Sequence, residues 1–325
     1  MATMQVFVTR ALPGGALDTL RALPDVACDV WPDDEPPPYE TIRDRVPALD
    51  GLLCLLTDRI DAPLLEAAPQ LRVVSQMAVG VDNIDLAAAT RLGIPVGHTP
   101  GVLTETTADL AWALILATAR RLPEAERFLR AGSWRHWSPG LLLGRDVHGA
   151  TLGIVGMGAI GAAVARRARG FDMRVLYSSR SPKEVPDARP VPLDELLRDS
   201  DIVSIHCALT PETRGLIGRR ELELTKPSAC LINTARGEIV DEGALFEALS
   251  AGRIAAAGLD VYEKEPLPAD SPLLVLPNVV LLPHVGSATL ETRGLMAARA
   301  VDNLIAGLRG ERLPFCANPD VSPRG

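Results

Sequence analysis

The chain has 325 residues, 47% of them hydrophobic and 23% charged, with a formal net charge of −8. That length and balance suit two globular domains, each with a core of its own. The acidic excess speaks against a nucleic-acid footprint, so any phosphate has to be held locally, by backbone amides and a few arginines.

Cys28, Cys54, Cys207, Cys230 and Cys316 are scattered, with no CxxC pair, and read as free thiols in a reducing cytosol. The first ten residues read as a strand and lack the basic start and apolar run of a signal peptide. The most apolar segment, Leu110–Ala119, lies between Asp109 and Arg120–Arg121 and is too short to span a bilayer. These features set the expectation of a cytoplasmic protein without membrane or nucleic-acid partners. No His/Cys/Asp cluster has metal-ligand spacing, so no metal is expected.

In chain order, Val6–Thr9, Gly51–Leu56, Leu71–Gln76 and Gly93–His98 read as strands. Helix-length stretches lie among them, at Gly15–Ala22, Pro63–Ala68 and Asp85–Arg91. Such alternation predicts a parallel sheet covered by helices. Thr104–Leu122 reads as one helix, with Thr104 as N-cap and Glu105 at the positive end. It is apolar nearly all round, so it is buried or used as an interface. Trp134, Trp137 and the stretch after them read as an irregular loop. From Ala150 the alternation restarts, with strands at Thr151–Val155, Met173–Tyr177, Asp201–His206, Ala229–Asn233, Gly258–Val261 and Val279–Leu282. Helices are expected at Ala159–Arg169, Leu193–Arg198 and Gly243–Ala251. The predicted fold class is α/β, two doubly wound parallel-sheet domains, the second with the βαβαβ start of a dinucleotide fold.

Gly156-Met157-Gly158-Ala159-Ile160-Gly161 fits GxGxxG between a buried strand and a helix. Gly156 would allow the tight turn, Gly158 the approach of a pyrophosphate and Gly161 close packing of helix on strand, with the helix N-terminus adding positive potential. A purely structural turn is the alternative. The next strand ends Tyr177-Ser178-Ser179-Arg180, without the carboxylate that would bind a ribose 2′-hydroxyl. Hydroxyls and a guanidinium suit a 2′-phosphate; otherwise Arg180 is an ordinary exposed loop arginine.

Reducing a keto acid requires a grip on the carboxylate, polarisation of the carbonyl and a proton. Arg236, in Asn233-Thr234-Ala235-Arg236-Gly237, directly follows a strand, and its planar fork can hold an oxyanion at two points. Glu265, in Asp260-Val261-Tyr262-Glu263-Lys264-Glu265-Pro266, and His284, in Pro283-His284-Val285-Gly286-Ser287, also follow strands. A histidine beside a carboxylate stays protonated and ready to donate. On spacing alone Glu265 is equally a loop carboxylate, and His284 a satisfied core histidine. His206 ends a strand, either lining the nucleotide or simply packed; His98, His136 and His148 read as structural.

Taken together, these motifs, their order and their spacing resemble the D-isomer-specific 2-hydroxyacid dehydrogenase family across residues 5–320. Within that family the chain is most similar to the glyoxylate/hydroxypyruvate reductases, on the Thr104–Asp109, Arg120–Ala125 and Ser178–Arg180 segments. The resemblance implies that Arg236 orients substrate, Glu265 pairs with His284 and His284 is the acid/base. It implies cofactor contacts from Thr107, Gly156, Gly158, Ala159, Ile160, Gly161, Ser179, Arg180, His206, Thr213, Thr234, Ala235, Asp260 and Gly286. It implies substrate contacts from Leu55, from Val79 and Gly80 in Ala78-Val79-Gly80-Val81-Asp82, and from Arg236, His284 and Ser287. Trp137 would reach into the partner subunit's pocket or merely pack at the interface.

The same resemblance implies a discontinuous flavodoxin-like substrate domain, residues 1–99 and 288–325, around a Rossmann NAD(P)-binding domain, residues 100–287. It also implies a homodimer held partly by Thr104–Leu122. The expected reaction is reduction of a small 2-keto acid, glyoxylate or hydroxypyruvate, to the D-2-hydroxy acid, with NADP preferred and NAD as the second cofactor. Many relatives carry arginine where this chain has Ala159, which removes a cation from the glycine loop and bears on cofactor preference. The alternative function is an NAD(P)-sensing binding protein or corepressor on the same fold.

Overall fold

The strands of the first unit form one all-parallel sheet: β1 (Met4–Val8), β2 (Val26–Val30), β3 (Gly51–Cys54), β4 (Val73–Gln76) and β5 (Val96–Gly97), in the order β2-β1-β3-β4-β5. That is the flavodoxin-like order. The computed structural model describes residues 3–181 and 183–323. It divides into two compact units, Met1–Leu103 with Ser287–Gly325, and Thr104–Gly286. In the first unit β3 and β4 are buried along their whole length, which is why they read as continuous rather than alternating runs. A long C-terminal helix, Leu290–Leu308, lies on this sheet and brings the chain's end into the first unit. Ser75 Oγ on β4 donates to the Ala300 carbonyl of that helix at 2.7 Å.

The second unit carries seven parallel strands: β6 (Thr151–Val155), β7 (Arg174–Ser178), β8 (Ala188–Pro190), β9 (Ile202–Ile205), β10 (Cys230–Asn233), β11 (Ala256–Leu259) and β12 (Val279–Leu281). Their order is β12-β11-β10-β9-β6-β7-β8. The chain winds outward from β6 in one direction through β7 and β8, then returns to β9 on the other side of β6. This reversal is a topological switch point, where ligands meet the carboxyl ends of doubly wound sheets. The helix Thr104–Ala119 packs within this unit: Trp112 Nε1 donates to the Val164 carbonyl at 3.1 Å, and Glu105 pairs with Arg166 and Arg167.

The helix expected over Thr104–Leu122 stops at Ala119, a second and unexpected helix spans Leu122–Arg130, and Thr104 is the first helical residue rather than a cap. Arg121 between them is left-handed, with φ 55°. The reason is Pro123, whose ring would collide with the Ala119 carbonyl in a continuous helix. That carbonyl instead accepts from the Arg145 N–H at 2.8 Å. Among the described residues, no helix is long and apolar enough to cross a membrane.

Candidate active site

The glycine loop joins β6 to the helix Ala159–Ala168 at the switch point. Gly156 has φ 98°, and a Cβ there would lie 2.4 Å from the Cys207 nitrogen, so only glycine fits. A Cβ on Gly161 would lie 2.3 Å from the Gly156 carbonyl oxygen, which sets how closely the helix approaches its strand. Around Gly158 there is open space instead, and Ala159 after it is exposed. The first helical N–H groups have no partner inside the helix, so this open side presents donors with a positive end behind them.

Arg236 owes its place to Asn233. The Asn233 side chain, 1% exposed, donates through Nδ2 to the Arg236 carbonyl at 2.8 Å and accepts from the Ala235 N–H at 3.0 Å. The turn Thr234-Ala235-Arg236 is thereby folded over the end of β10. Arg236 itself donates to the Ala235 carbonyl at 2.8 Å. The next residue, Gly237, lies directly against the chain after β11: a Cβ there would stand 1.8 Å from the Tyr262 carbonyl carbon. The Tyr262–Glu263 segment is held from its other side as well. Glu263 accepts from the Glu242 N–H at 2.9 Å, and Glu242 accepts from the Glu263 N–H at 3.2 Å.

The same segment delivers Glu265. Its Oε1 accepts from the Tyr262 N–H at 3.1 Å, and its Oε2 lies 2.6 Å from His284 Nδ1. His284 has φ 54°, a conformation that costs a non-glycine residue about 1–3 kcal/mol unless the surroundings hold it. Asp260 holds it. The Asp260 carbonyl accepts from the His284 N–H at 2.9 Å, and Asp260 Oδ1 accepts from the Val285 N–H at 2.8 Å. Asp260 is completely buried, and burial pushes its carboxyl above the usual carboxylate range. Its Oδ2 and the buried Thr234 Oγ1 have no hydrogen-bond partner among the described residues. Thr107 lies near the Cα of Gly286.

At the far side of the loop, Ser179 donates to the Ser181 carbonyl at 2.8 Å, and Arg180 is exposed. Tyr177, buried in β7, anchors the loop beyond that strand: its hydroxyl donates to the Lys183 carbonyl at 2.6 Å and accepts from the Lys183 N–H at 3.1 Å. Thr210, chiefly, and Arg180 hold the Glu212 carboxyl below its ordinary range. Thr213 folds its own loop, accepting from the Thr210 N–H at 2.8 Å and donating to the Ala208 carbonyl at 2.7 Å. His206 packs as well as bordering the loop. Its Nε2 is 2.8 Å from Ser204 Oγ, its backbone abuts Gly156, and burial pushes its pKa down to about 4, which leaves the ring neutral. Trp137 stands in an exposed loop, 76% accessible.

Leu55, Val79, Gly80 and Ser287 belong to the first unit. Leu55 follows β3, and Val79 and Gly80 follow β4, at the carboxyl ends of adjacent strands. Ser287 opens the segment leading into Leu290–Leu308, whose N-cap is Thr289. Sequence reasoning missed Asn233, Gly237's role under Tyr262, and the Glu242–Glu263 clasp. A polar residue at the end of a buried strand was the available signal for Asn233, since a buried amide requires partners.

A GxGxxG loop at a switch point, with a histidine–carboxylate pair and an arginine on the loops after β10, β11 and β12 of the same sheet, makes a candidate dinucleotide-dependent acid–base site. The profile of the family described as "D-isomer specific 2-hydroxyacid dehydrogenase, NAD binding domain" matches residues 112–286. The glyoxylate reductase of Korarchaeum cryptofilum is 52% identical over 322 residues, covering 98% of this chain and 96% of that protein. Among solved structures, the TT0316 protein of Thermus thermophilus is 50% identical at a TM-score of 0.92, covering 97% of this chain and 100% of that one. The NADPH-dependent glyoxylate/hydroxypyruvate reductase of Sinorhizobium meliloti, solved with NADP and malonate, is 33% identical at a TM-score of 0.87, covering all of both chains. The chain belongs to the D-isomer-specific 2-hydroxyacid dehydrogenase family. It is an NAD(P)-dependent oxidoreductase acting between keto and hydroxy acids.

Gly237→Ala is expected to displace Tyr262–Glu265 and separate Glu265 from His284. The expected loss in kcat is at least about 100-fold, the scale of misplaced catalytic groups. Steady-state kinetics with circular dichroism checks it; a folded variant with normal kcat would show that the contact does not set the pair.

Proposed function

We propose that the chain reduces glyoxylate and hydroxypyruvate to their D-2-hydroxy acids, with His284 as the proton donor. The observation that carries this is the 2.6 Å His284–Glu265 pair, held on a strained backbone at the carboxyl end of the sheet. A residue kept in a left-handed conformation by two hydrogen bonds points to function, because packing alone does not require it.

The residues fit a nicotinamide dinucleotide. The glycine cradle is closed to any side chain at Gly156 and Gly161 but open at Gly158, and the buried Thr234 Oγ1 and Asp260 Oδ2 await polar partners. Thr107, Gly156, Gly158, Ala159, Ile160, Gly161, His206, Thr213, Thr234, Ala235, Asp260 and Gly286 would hold it. When bound, the reduced nicotinamide supplies the hydride that the keto carbon accepts. His284 donates a proton from Nε2 to the carbonyl oxygen as that oxygen gains charge, and Glu265 keeps the Nδ1 proton and the ring's orientation. The Arg236 fork steadies the substrate's oxygens. The Val79 and Gly80 amides of the first unit, with Leu55 and Ser287, receive its carboxylate. A sensing protein on the same fold would bind the dinucleotide without consuming it, so turnover of NADPH with glyoxylate separates the two readings.

His284→Ala is expected to lower kcat by roughly 10²–10⁴, the range for a lost general acid. Glu265→Gln replaces the carboxylate that holds the Nδ1 proton with an amide, and kcat should fall while KM changes less. A His284→Ala enzyme with near-normal kcat would sink the assignment.

NADP is the proposed cofactor preference, because Ser179 and Arg180 stand where a carboxylate would repel a 2′-phosphate. The similar Sinorhizobium meliloti reductase is NADPH-dependent. In Arg180→Asp, the ratio of kcat/KM for NADPH to that for NADH should drop by tenfold or more, roughly the scale of one lost charge-assisted contact. An unchanged ratio would remove Arg180 from the phosphate site.

A homodimer is proposed from the exposed apolar side chains of Leu122, Leu129, Trp134, Trp137 and Leu143, a concentration that marks interfaces. Trp137 is assigned to the partner's pocket. In Trp137→Ala, phenylpyruvate should gain kcat/KM relative to glyoxylate while the dimer persists on a sizing column. A weakened dimer with an unchanged substrate ranking would assign the ring to packing instead.

A further inference from the structure

Two side-chain amides, one buried and one half-buried, tie together the loops that follow β3 and β4. Gln76, the last residue of β4, has no exposed surface. Its Nε2 donates to Asn83 Oδ1 and its Oε1 accepts from Asn83 Nδ2, both at 2.8 Å, so the side chains pair reciprocally. The same Nε2 donates to the Gly80 carbonyl at 2.6 Å. Asn83 Nδ2 reaches the other loop, at the carbonyls of Asp58, 2.7 Å, and Leu55, 3.1 Å.

The neighbouring carbonyls are held the same way. The Thr99 N–H donates to the Ala78 carbonyl at 2.8 Å. His98 Nδ1 lies 3.0 Å from the Val79 carbonyl, and since a carbonyl only accepts, the ring carries its proton on Nδ1. Three consecutive carbonyls, those of Ala78, Val79 and Gly80, therefore turn toward the unit's own interior. In a planar trans peptide the next residue's N–H points the opposite way. The N–H groups of Val79, Gly80 and Val81 accordingly each point away from a protein partner, and successive amides left facing outward in this way can cradle an anion.

We propose that the Gln76–Asn83 amide pair is a positioning element for the keto acid, fixing the outward amides of Val79–Val81 at a set distance from the Leu55 segment. The inference rests on the reading that these amides receive the substrate carboxylate. The pair makes no contact with substrate. It links the carboxylate cradle to Leu55, so the separation of the two does not depend on loop flexibility.

Gln76→Met keeps the length of the side chain and removes every hydrogen bond. It should raise KM for glyoxylate by roughly 10- to 100-fold, the scale of a small misplacement of a binding group. kcat should change far less, and the dissociation constant for NADPH should hold. Gln76→Glu supplies the second measurement. Its protonated carboxyl can again donate to Gly80, so its KM, relative to wild type at the same pH, should recover as pH is lowered. The KM of Gln76→Met should stay high at every pH. Variants that lose thermal stability but keep wild-type KM would overturn the proposal, because the pair would then only hold the fold. Val79→Pro deletes one outward amide without touching the pair. A wild-type KM there would overturn the carboxylate reading itself. A raised KM there, with a normal KM in Gln76→Met, would overturn the positioning role alone.

Discussion

Asp260 binds three strand ends into one object. Its N–H donates to the Asn233 carbonyl at the end of β10, and it follows β11 itself. Its carbonyl and carboxylate take the N–H groups of His284 and Val285, just past β12. Were those bonds absent, His284 would relax to an ordinary extended conformation and its ring would leave Glu265. Arg236 depends on the same junction, because Asn233, which accepts from Asp260, also folds the turn that carries the arginine. A buried carboxylate raised by desolvation is an expensive anchor. It is sustained by backbone donors fixed at short range, and so it resists small adjustments of the loops around it.

In the proposed reading both units meet the pyrophosphate and the substrate carboxylate mainly with backbone N–H groups, which fits a chain of net charge −8. The glycine loop presents the start of a helix; the loop after β4 presents amides whose paired carbonyls are tied inward. Oriented amides act through fixed partial charges at contact distance, and salt screens them less than it screens exposed lysines. Arg236 is then the one cation assigned to the proposed chemistry, placed where direction matters as well as charge. In that reading rigidity takes the place of net attraction, and it comes from hydrogen-bonded side-chain amides, Asn233 in one unit and Gln76 with Asn83 in the other.

Much of this was legible in the sequence. The glycine loop and the Arg236, Glu265 and His284 motifs follow strands that read clearly because parallel strands are apolar on both faces. Elements whose signals are shared or weak escaped. β2 is a partly exposed edge strand, Val-Ala-Cys-Asp-Val, with little to separate it from a loop. The helix Leu290–Leu308 has no strand or motif after it in the sequence to draw attention, although its apolar spacing is regular and Thr289 caps it. The break at Arg121 comes from Pro123, whose clash is with a residue four positions back and so falls outside the segment that the apolar pattern marks as helix. Side-chain amides were illegible for a different reason. Gln76, Asn83 and Asn233 find their partners only once separate strands are aligned, so no local pattern announces them.

The contrast between the His284 junction and the Ser179–Arg180 loop bears on how such an enzyme changes. Around His284 the N–H groups of Tyr262, Glu263, His284 and Val285 and both oxygens of Glu265 are engaged, so a substitution there disturbs several contacts at once. The loop after β7 is fixed at its far end by Tyr177 on Lys183, while Arg180 remains exposed. Arg180 also contributes, as the smallest of several causes, to holding the exposed Glu212 carboxyl below its ordinary range, so a 2′-phosphate would share the guanidinium with that weak attraction. Discrimination between the two dinucleotides in the proposed reading thus rests on a small difference of exposed interactions. Substitutions at Arg180 or Glu212 can move it in either direction while the buried junction that orients the proposed acid stays intact.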